Sequence, residues 1–277
     1  MIVWLDGRLV PELEATLSIN DRGFLFADGV FETALLRDGG FLKLPSHLER
    51  LVASARTLRL PPPDPDAVDA IIRDVVRANN LRDASIRITL TRGVTHPVLL
   101  VTARPPDAAW EARARRGWRI VTAQTRRPST AAVPAQLKAL GRTYALLARH
   151  EAAEAGVDDA LLLTDDGFVC EGPAWNVFWR TGDTLFTPAL DAGVLAGVTR
   201  TALLGLAAAA DLRAEEGLFP RADLDTADEI FATMTSVGIV SIRELDARPL
   251  PPETPAATRL LTMYQALVKA ECANDPL

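Results

Sequence analysis

Gln136-Leu137-Lys138-Ala139-Leu140-Gly141-Arg142-Thr143-Tyr144 sets a lysine between two leucines, ahead of an alanine-rich, strongly helical run that extends to Gly156. A cation in an apolar strand end is costly unless it is paired or chemically engaged. Of the 30 lysines and arginines only Lys43, Lys138 and Lys269 are lysines, so arginine is the default cation of this chain. Lys138 is therefore either a partly exposed side chain snorkelling from a strand end or a group with a chemical task. The residues outside the stretch have to separate the two.

A chain of 277 residues can bury a sizeable core and suits two modest domains or one large one. Hydrophobic content of 48% and charge of 24% place it among soluble globular proteins. The net charge of -6, with arginines scattered among acids, leaves no basic field for nucleic acid or an acidic membrane. Cys170 and Cys272 are far apart and have no metal-ligand spacing, which suits free thiols in a reducing compartment. His47, His96 and His150 share no ligand spacing, so no metal site is expected. No basic leader with an apolar segment opens the chain and no apolar run approaches spanning length; a soluble cytoplasmic protein is expected.

Outward from the opening stretch, the first half reads as hairpins and two helices. Ile2 to Leu5 and Arg8 to Val10 flank an Asp6-Gly7 turn, and Val30 to Leu36 and Phe41 to Leu44 flank Asp38-Gly39-Gly40. Ser46 and Glu49 have the spacing of a capping box, and Leu48, Leu51, Ala55 and Leu58 follow at helical spacing, placing Arg50 on the first turns. A second amphipathic helix is expected over about 67–79 and a half-buried strand over 85–91. Trp118 to Ala123 reads as one more strand. These features predict a small α+β domain over residues 1–123, a linker over 124–130 around the arginines and Pro128, and a larger domain over 131–277.

Four further places carry chemistry. Ala196-Gly197-Val198-Thr199-Arg200 opens an apolar helix, and free backbone amides, a hydroxyl and the helix dipole there either bind an anion or simply cap the helix. Thr235-Ser236 after a strand is a second such turn. Arg50 offers a planar fork that suits a phosphate, or a solvated helix face. Glu171, at the end of the strand Phe168 to Cys170, either points into a cleft, where it would keep a ring nitrogen protonated, or ends a hairpin in water. No dinucleotide or nucleoside triphosphate motif is present.

The order of these elements, with Glu171-Gly172, Asn176-Val177-Phe178, Leu185-Phe186-Thr187-Pro188 and Gly197-Val198-Thr199-Arg200 following Lys138, resembles the fold-type IV pyridoxal-phosphate enzymes. These are the branched-chain and D-amino-acid aminotransferases and aminodeoxychorismate lyase. The resemblance covers nearly the whole chain, from Asn20 to Thr235. It implies a small α+β domain paired with a larger one built on a barrel-like sheet, pyridoxal 5'-phosphate as cofactor, and a homodimer whose sites lie between the two domains and are completed by the neighbouring subunit. By the resemblance Lys138 would carry the cofactor covalently, which discharges the amine, and would shuttle the proton at the substrate α-carbon. Glu171 would pair with the pyridine nitrogen. Arg50, the Val198 and Thr199 amides, the Thr199 hydroxyl and Thr235 would hold the phosphate. Ser236 would face the substrate, and Phe26, Phe31 and Trp175 look like pocket walls.

Substrate choice is less closely marked. D-amino-acid aminotransferases place an arginine and a histidine in the loop after the strand corresponding to Ser85 to Thr91; this loop offers Arg92 and His96 at a different spacing. Arg142, four residues after Lys138, resembles the lyase, whereas Thr143 stands where branched-chain enzymes place a tyrosine. A transaminase acting between an amino donor and a 2-keto acid is expected, with D-amino acids leading, branched-chain L-amino acids or (R)-amines as others, and 4-amino-4-deoxychorismate lyase as the alternative.

Overall fold

The computed structural model describes all 277 residues, Met1–Leu277. They form two compact units: Met1–Pro106 with Leu137–Gly141 and Leu267–Leu277, and Asp107–Gln136 with Arg142–Ala266.

The first unit is a six-stranded antiparallel sheet covered by two helices. Along the chain come β1 (Ile2–Leu5), β2 (Arg8–Pro11), α1 (Arg22–Phe26), β3 (Gly29–Arg37), β4 (Gly40–Leu42), α2 (Leu44–Thr57), α3 (Pro65–Ala78), β5 (Ala84–Thr91) and β6 (Val98–Arg104). The strands lie in the order β2-β1-β6-β5-β3-β4. Alternation along β3 buries Val30, Glu32, Ala34 and Leu36, and β5 buries Ile86, Ile88 and Leu90 beside them. Phe31, Thr33, Arg87 and Thr89 consequently stand on the opposite face. The buried faces of α2 and α3 supply Leu48, Leu51, Val68, Ile72 and Val75 to the same core.

Helix α2 starts three residues earlier than the expected capping box places it, with Lys43 in place of Ser46 as N-cap, left-handed at φ 46°, and Pro45 in its first turn. Proline is pre-organised for a helix's first turn, so the start falls there and Ser46 lies inside the helix. Asn20-Asp21-Arg22-Gly23 interrupts the apolar pattern of the sequence, and within and after it residues 22–26 form the short helix α1, capped by Asp21 Oδ1 accepting from the Gly23 amide at 2.6 Å.

The edge of β3 explains the position of Lys138. Strand β4 pairs only with Leu35, Leu36 and Arg37, leaving the start of β3 open. Residues 138–140 fill that edge: the Phe31 amide donates to the Lys138 carbonyl at 3.0 Å, and the Leu140 amide to the Gly29 carbonyl at 2.9 Å. A Cβ at Gly29 would lie 2.6 Å from the Leu90 carbonyl oxygen and 2.7 Å from the Leu140 side chain, so this close approach requires glycine.

The second unit holds α4 (Ala108–Arg115), β7 (Trp118–Arg126), α5 (Thr143–Glu154), β8 (Asp159–Leu163), β9 (Asn176–Thr181), β10 (Thr184–Pro188), α6 (Val198–Ala207), β11 (Arg213–Gly217), β12 (Glu229–Met234), β13 (Gly238–Leu245), β14 (Arg248–Pro249) and most of α7 (Pro255–Asn274). Its curled mixed sheet has the order β11-β10-β9-β12-β13-β7-β8, with β14 beside β13. The expected boundaries differ from these. Strand β7 runs through Arg126 and pairs with β13 and β8, which draws residues 107–126 into the second unit, while the strand-like pairing of 138–140 with β3 draws 137–141 into the first. Helix α4 was not legible: alanines and charges leave it without an apolar face. No helix is long and apolar enough to cross a membrane.

Candidate active site

Lys138 is half-buried, its backbone fixed by β3 and by its amide donating to Ser54 Oγ of α2 at 3.2 Å. Its Nζ lies 4.9 Å from the centroid of the Phe31 ring. The Arg87 guanidinium sits 4.0 Å from the same centroid. Two cations thus share one ring on the outward face of β3 and β5.

On the inward face, Glu32 has a fully buried side chain. Arg50 donates to it through Nε at 2.6 Å and Nη2 at 2.9 Å, and His47 Nδ1 lies 3.0 Å from Oε2. Burial pushes this carboxyl up, but the hydrogen bonds from Arg50 and His47, with the charges of Arg50 and Lys138, outweigh it and hold the group at about 2. Burial is also the largest influence on His47 and lowers it, against the pull of Glu32. A neutral His47 therefore donates from Nδ1 to the carboxylate, leaving Nε2 buried without a hydrogen-bond partner. Arg50 keeps a side chain 12% exposed, so its fork is oriented from within while part of it reaches the surface.

In the second unit Glu171 is buried and bridged to Asn176 across the tight turn Gly172–Trp175. Its Oε2 accepts from the Leu195 amide at 2.9 Å and from Asn176 Nδ2 at 3.3 Å. Arg127 Nε lies 3.7 Å from Oε1 and has no hydrogen-bond partner, although the side chain is only 3% exposed. One carboxylate oxygen is thus anchored by amides while the other faces a buried guanidinium.

Helix α6 begins at Val198 with Gly197 as an N-cap that makes no side-chain capping bond, and the Thr201 amide is the first to bond back, to the Gly197 carbonyl. The amides of its first turn are left for an external acceptor. A Cβ at Gly197 would lie 2.1 Å from Asn176 Oδ1, so any larger residue there displaces the Asn176 side chain. Gln136, in the opening stretch, steadies the approach to this turn by accepting from the Ala196 amide at 2.8 Å and donating to the Val194 carbonyl at 3.0 Å. Thr199 is buried, with Oγ1 3.2 Å from the Tyr264 hydroxyl. Thr235 and Ser236 form the turn between β12 and β13, where Ser236 Oγ accepts from Trp110 Nε1 at 3.4 Å.

The expected residues thus fall into two sets. Arg50, Phe31 and Lys138 belong to the first unit, and Glu171, Val198, Thr199, Thr235 and Ser236 to the second. Five other substrate candidates have these surroundings. Arg92 is held by Asp28 Oδ2 at 2.7 Å and by the carbonyls of Arg59 and Leu58. His96 is exposed and lies 3.0 Å from Asp6. Arg142 donates to the Pro173 carbonyl at 2.6 Å. Trp175 is a core residue, 3% exposed, whose indole donates to Asp159 at 3.1 Å and packs edge-on against Trp118. Phe26 is 65% exposed on α1, beside the Arg22 guanidinium.

Glu32, His47, Arg87, Arg127 and Tyr264 were given no role in the site from the sequence, and Asn176 and Gln136 were quoted only as parts of longer stretches. A signal existed for two of them: Glu32 takes an inward position in a strand of apolar residues, and His47 precedes Arg50 by three, one helical turn. Within the second unit an uncapped helix start suits a phosphate and a buried carboxylate suits a protonated ring nitrogen, and within the first a backbone-fixed lysine suits an aldehyde, the three groups of pyridoxal phosphate.

Residues 29–245 match the amino-transferase class IV family. A putative branched-chain-amino-acid aminotransferase from Methanocaldococcus jannaschii is 36% identical over 261 residues, covering 90% of this chain and 89% of that protein. A D-alanine aminotransferase from Bacillus licheniformis is 28% identical over 262 residues, 90% of each. The branched-chain aminotransferase of Thermoproteus uzoniensis, solved with norvaline, superposes with a TM-score of 0.91 at 30% identity, covering 98% of this chain and 95% of that one. A hypothetical aminotransferase from Mycobacterium tuberculosis in its pyridoxal-phosphate-bound form gives a TM-score of 0.88 at 28% identity, covering 98% and 100%. The family match and these relatives show that the chain belongs to the class IV aminotransferases, which use pyridoxal phosphate.

Proposed function

We propose that this aminotransferase moves the amino group of branched-chain L-amino acids to a 2-keto acid, with Arg87 taking the substrate carboxylate. The observation that carries this is the place of Arg87 beside Lys138 on the Phe31 ring. Arg92 and His96, the candidates for a D-amino-acid carboxylate site, are engaged by Asp28, Asp6 and backbone carbonyls. Arg87 shares the Phe31 ring with Lys138 Nζ on the outward face of the sheet. The similarity to branched-chain enzymes supports the same substrate class. Arg142, the residue that leaned toward the lyase, spends its Nη2 on the Pro173 carbonyl, which favours transamination over that alternative.

Bound pyridoxal phosphate supplies an electron sink that makes the substrate α-hydrogen acidic. In this reading Lys138 holds the cofactor and moves the α-proton, Glu171 keeps the ring nitrogen protonated, and Arg50, Val198, Thr199 and Thr235 bind the phosphate. Glu32 and His47 orient Arg50 from the core. Ser236 and Phe31 border the substrate. A homodimer is part of the proposal: Ile19, Phe24, Leu25, Phe26 and Val94 are each at least half exposed around α1, an apolar surface that a second copy would cover.

The test is a panel of half-reactions. Holoenzyme is mixed with L-leucine, D-alanine and (R)-phenylethylamine in turn, and conversion to the pyridoxamine form is followed by absorbance. L-leucine should convert it and Lys138→Ala should abolish conversion. Conversion by D-alanine but not L-leucine would overturn the substrate assignment, and pyruvate release from aminodeoxychorismate without an acceptor would establish the lyase.

A further inference from the structure

Tyr264 of α7 links the two turns assigned to the phosphate. Its hydroxyl lies 3.2 Å from Thr199 Oγ1 at the start of α6, and both residues are buried, at 4% and 3% exposure. Its ring packs on Gly238, the first residue of β13 and three after Thr235: a Cβ there would lie 3.0 Å from Tyr264 Cε1, and Gly238 has φ +76°. Glycine is therefore needed both for the backbone and for the seat of the ring.

The chemistry fixes the direction of this contact once an anion is bound. A phosphate oxygen only accepts, so Thr199 must give it the hydroxyl proton, and its own oxygen is then free to accept from Tyr264. We infer that Tyr264 is a positioning residue for the cofactor's phosphate: it donates to Thr199 Oγ1 and holds that hydroxyl with its proton directed at the anion. The Tyr264–Thr199–phosphate chain runs donor to acceptor throughout, and each bond polarises the next. The buried ring over Gly238 fixes the tyrosine so that its hydroxyl does not swing away. The inference rests on the assignment of Thr199 to the phosphate.

Titrating the full chain, stripped of cofactor, with pyridoxal phosphate and with pyridoxal tests it. Tyr264→Phe keeps the ring on Gly238 and removes only the hydroxyl. It should weaken pyridoxal phosphate by about five- to tenfold, the scale of a hydrogen bond serving a charged group, and leave pyridoxal affinity unchanged within about twofold. Thr199→Val should do the same, and the double variant should be no weaker than Thr199→Val alone. Equal weakening of both ligands by Tyr264→Phe, no weakening, or full additivity with Thr199→Val would overturn the role of Tyr264. If Thr199→Val itself leaves pyridoxal phosphate affinity intact, the phosphate assignment fails and the inference fails with it.

Discussion

Glu32 accepts two hydrogen bonds from Arg50, through Nε at 2.6 Å and Nη2 at 2.9 Å, from a position on β3 that its neighbours Val30 and Ala34 fill with apolar side chains. The residue expected to bind phosphate is therefore gripped from behind by a buried carboxylate, with His47 on the second oxygen. A fork held in this way meets its ligand without first losing rotamer freedom.

That grip makes stability depend on pH. The Glu32 carboxyl is held at about 2, below its ordinary 4.5, so its contribution is present above the unfolded value and is lost as pH falls from about 4.5 toward 2. The shift corresponds to about 3 kcal/mol. His47, lowered chiefly by burial, acts in the same direction, its contribution being lost as pH falls below the ordinary 6.5. Glu32→Gln should lower stability at pH 7 and flatten the acid limb between pH 5 and 2.5, measured by denaturant unfolding of the apoprotein. An acid limb as steep as that of the wild type would refute the linkage.

Arg87 should discriminate by carboxylate. Replacing it with methionine keeps a long apolar side chain over Phe31 and removes the charge. The inhibition constant of 4-methylpentanoate should rise about 10- to 100-fold, the loss of charge-assisted hydrogen bonds, while that of the neutral 4-methylpentanamide changes by less than about twofold. Equal effects on acid and amide would show that Arg87 does not meet the carboxylate.

Gly197→Ala should damage two features at once. The added methyl falls on Asn176 Oδ1, and Asn176 also steadies Glu171 Oε2 and the Leu195 carbonyl. Overpacking of this kind costs about 1–3 kcal/mol, so the melting temperature of the apoprotein should fall. Cofactor affinity should fall further than in Gly205→Ala, a control in the same helix where a Cβ meets nothing within 4 Å. Equal cofactor affinity in the two variants would contradict the coupling.

What the sequence made legible follows from which forces act locally. Helices α2 and α3 and strands β3 and β5 carry their burial period in the sequence, and Gly197-Val198-Thr199 announces a helix start, so these were readable. Arg87 and Arg92 were not separable that way: one lies within β5 and the other directly after it, and only the fold gives Arg92 to Asp28 and Arg87 to Phe31. Trp175 looked like a wall because aromatic side chains serve cores and pockets alike, and its indole is spent on Asp159. Tyr264 lies 65 residues from Thr199 in the chain, a separation across which no local pattern reports contact.

The apolar surface around α1 gives the last prediction. Asp21 caps the helix and accepts from Thr91 Oγ1 at 2.8 Å, and Asp28 binds Arg22 and Arg92, so α1 is fastened to β5 and the turn after it. Its side chains are nevertheless turned outward: Phe24 is 73% exposed, Phe26 65% and the preceding Ile19 76%. A rigidly held helix that exposes two phenylalanines has its apolar face set for a partner. Each large side chain fully buried at the contact contributes about 1.5–3 kcal/mol, so a double Phe24→Ser, Phe26→Ser variant should dissociate about 100-fold or more readily than the wild type by sedimentation velocity. Both residues lie outside the buried hydrophobic clusters, so the melting temperature measured at low protein concentration should hold. A dimer of wild-type strength in the double variant would move the interface to another face.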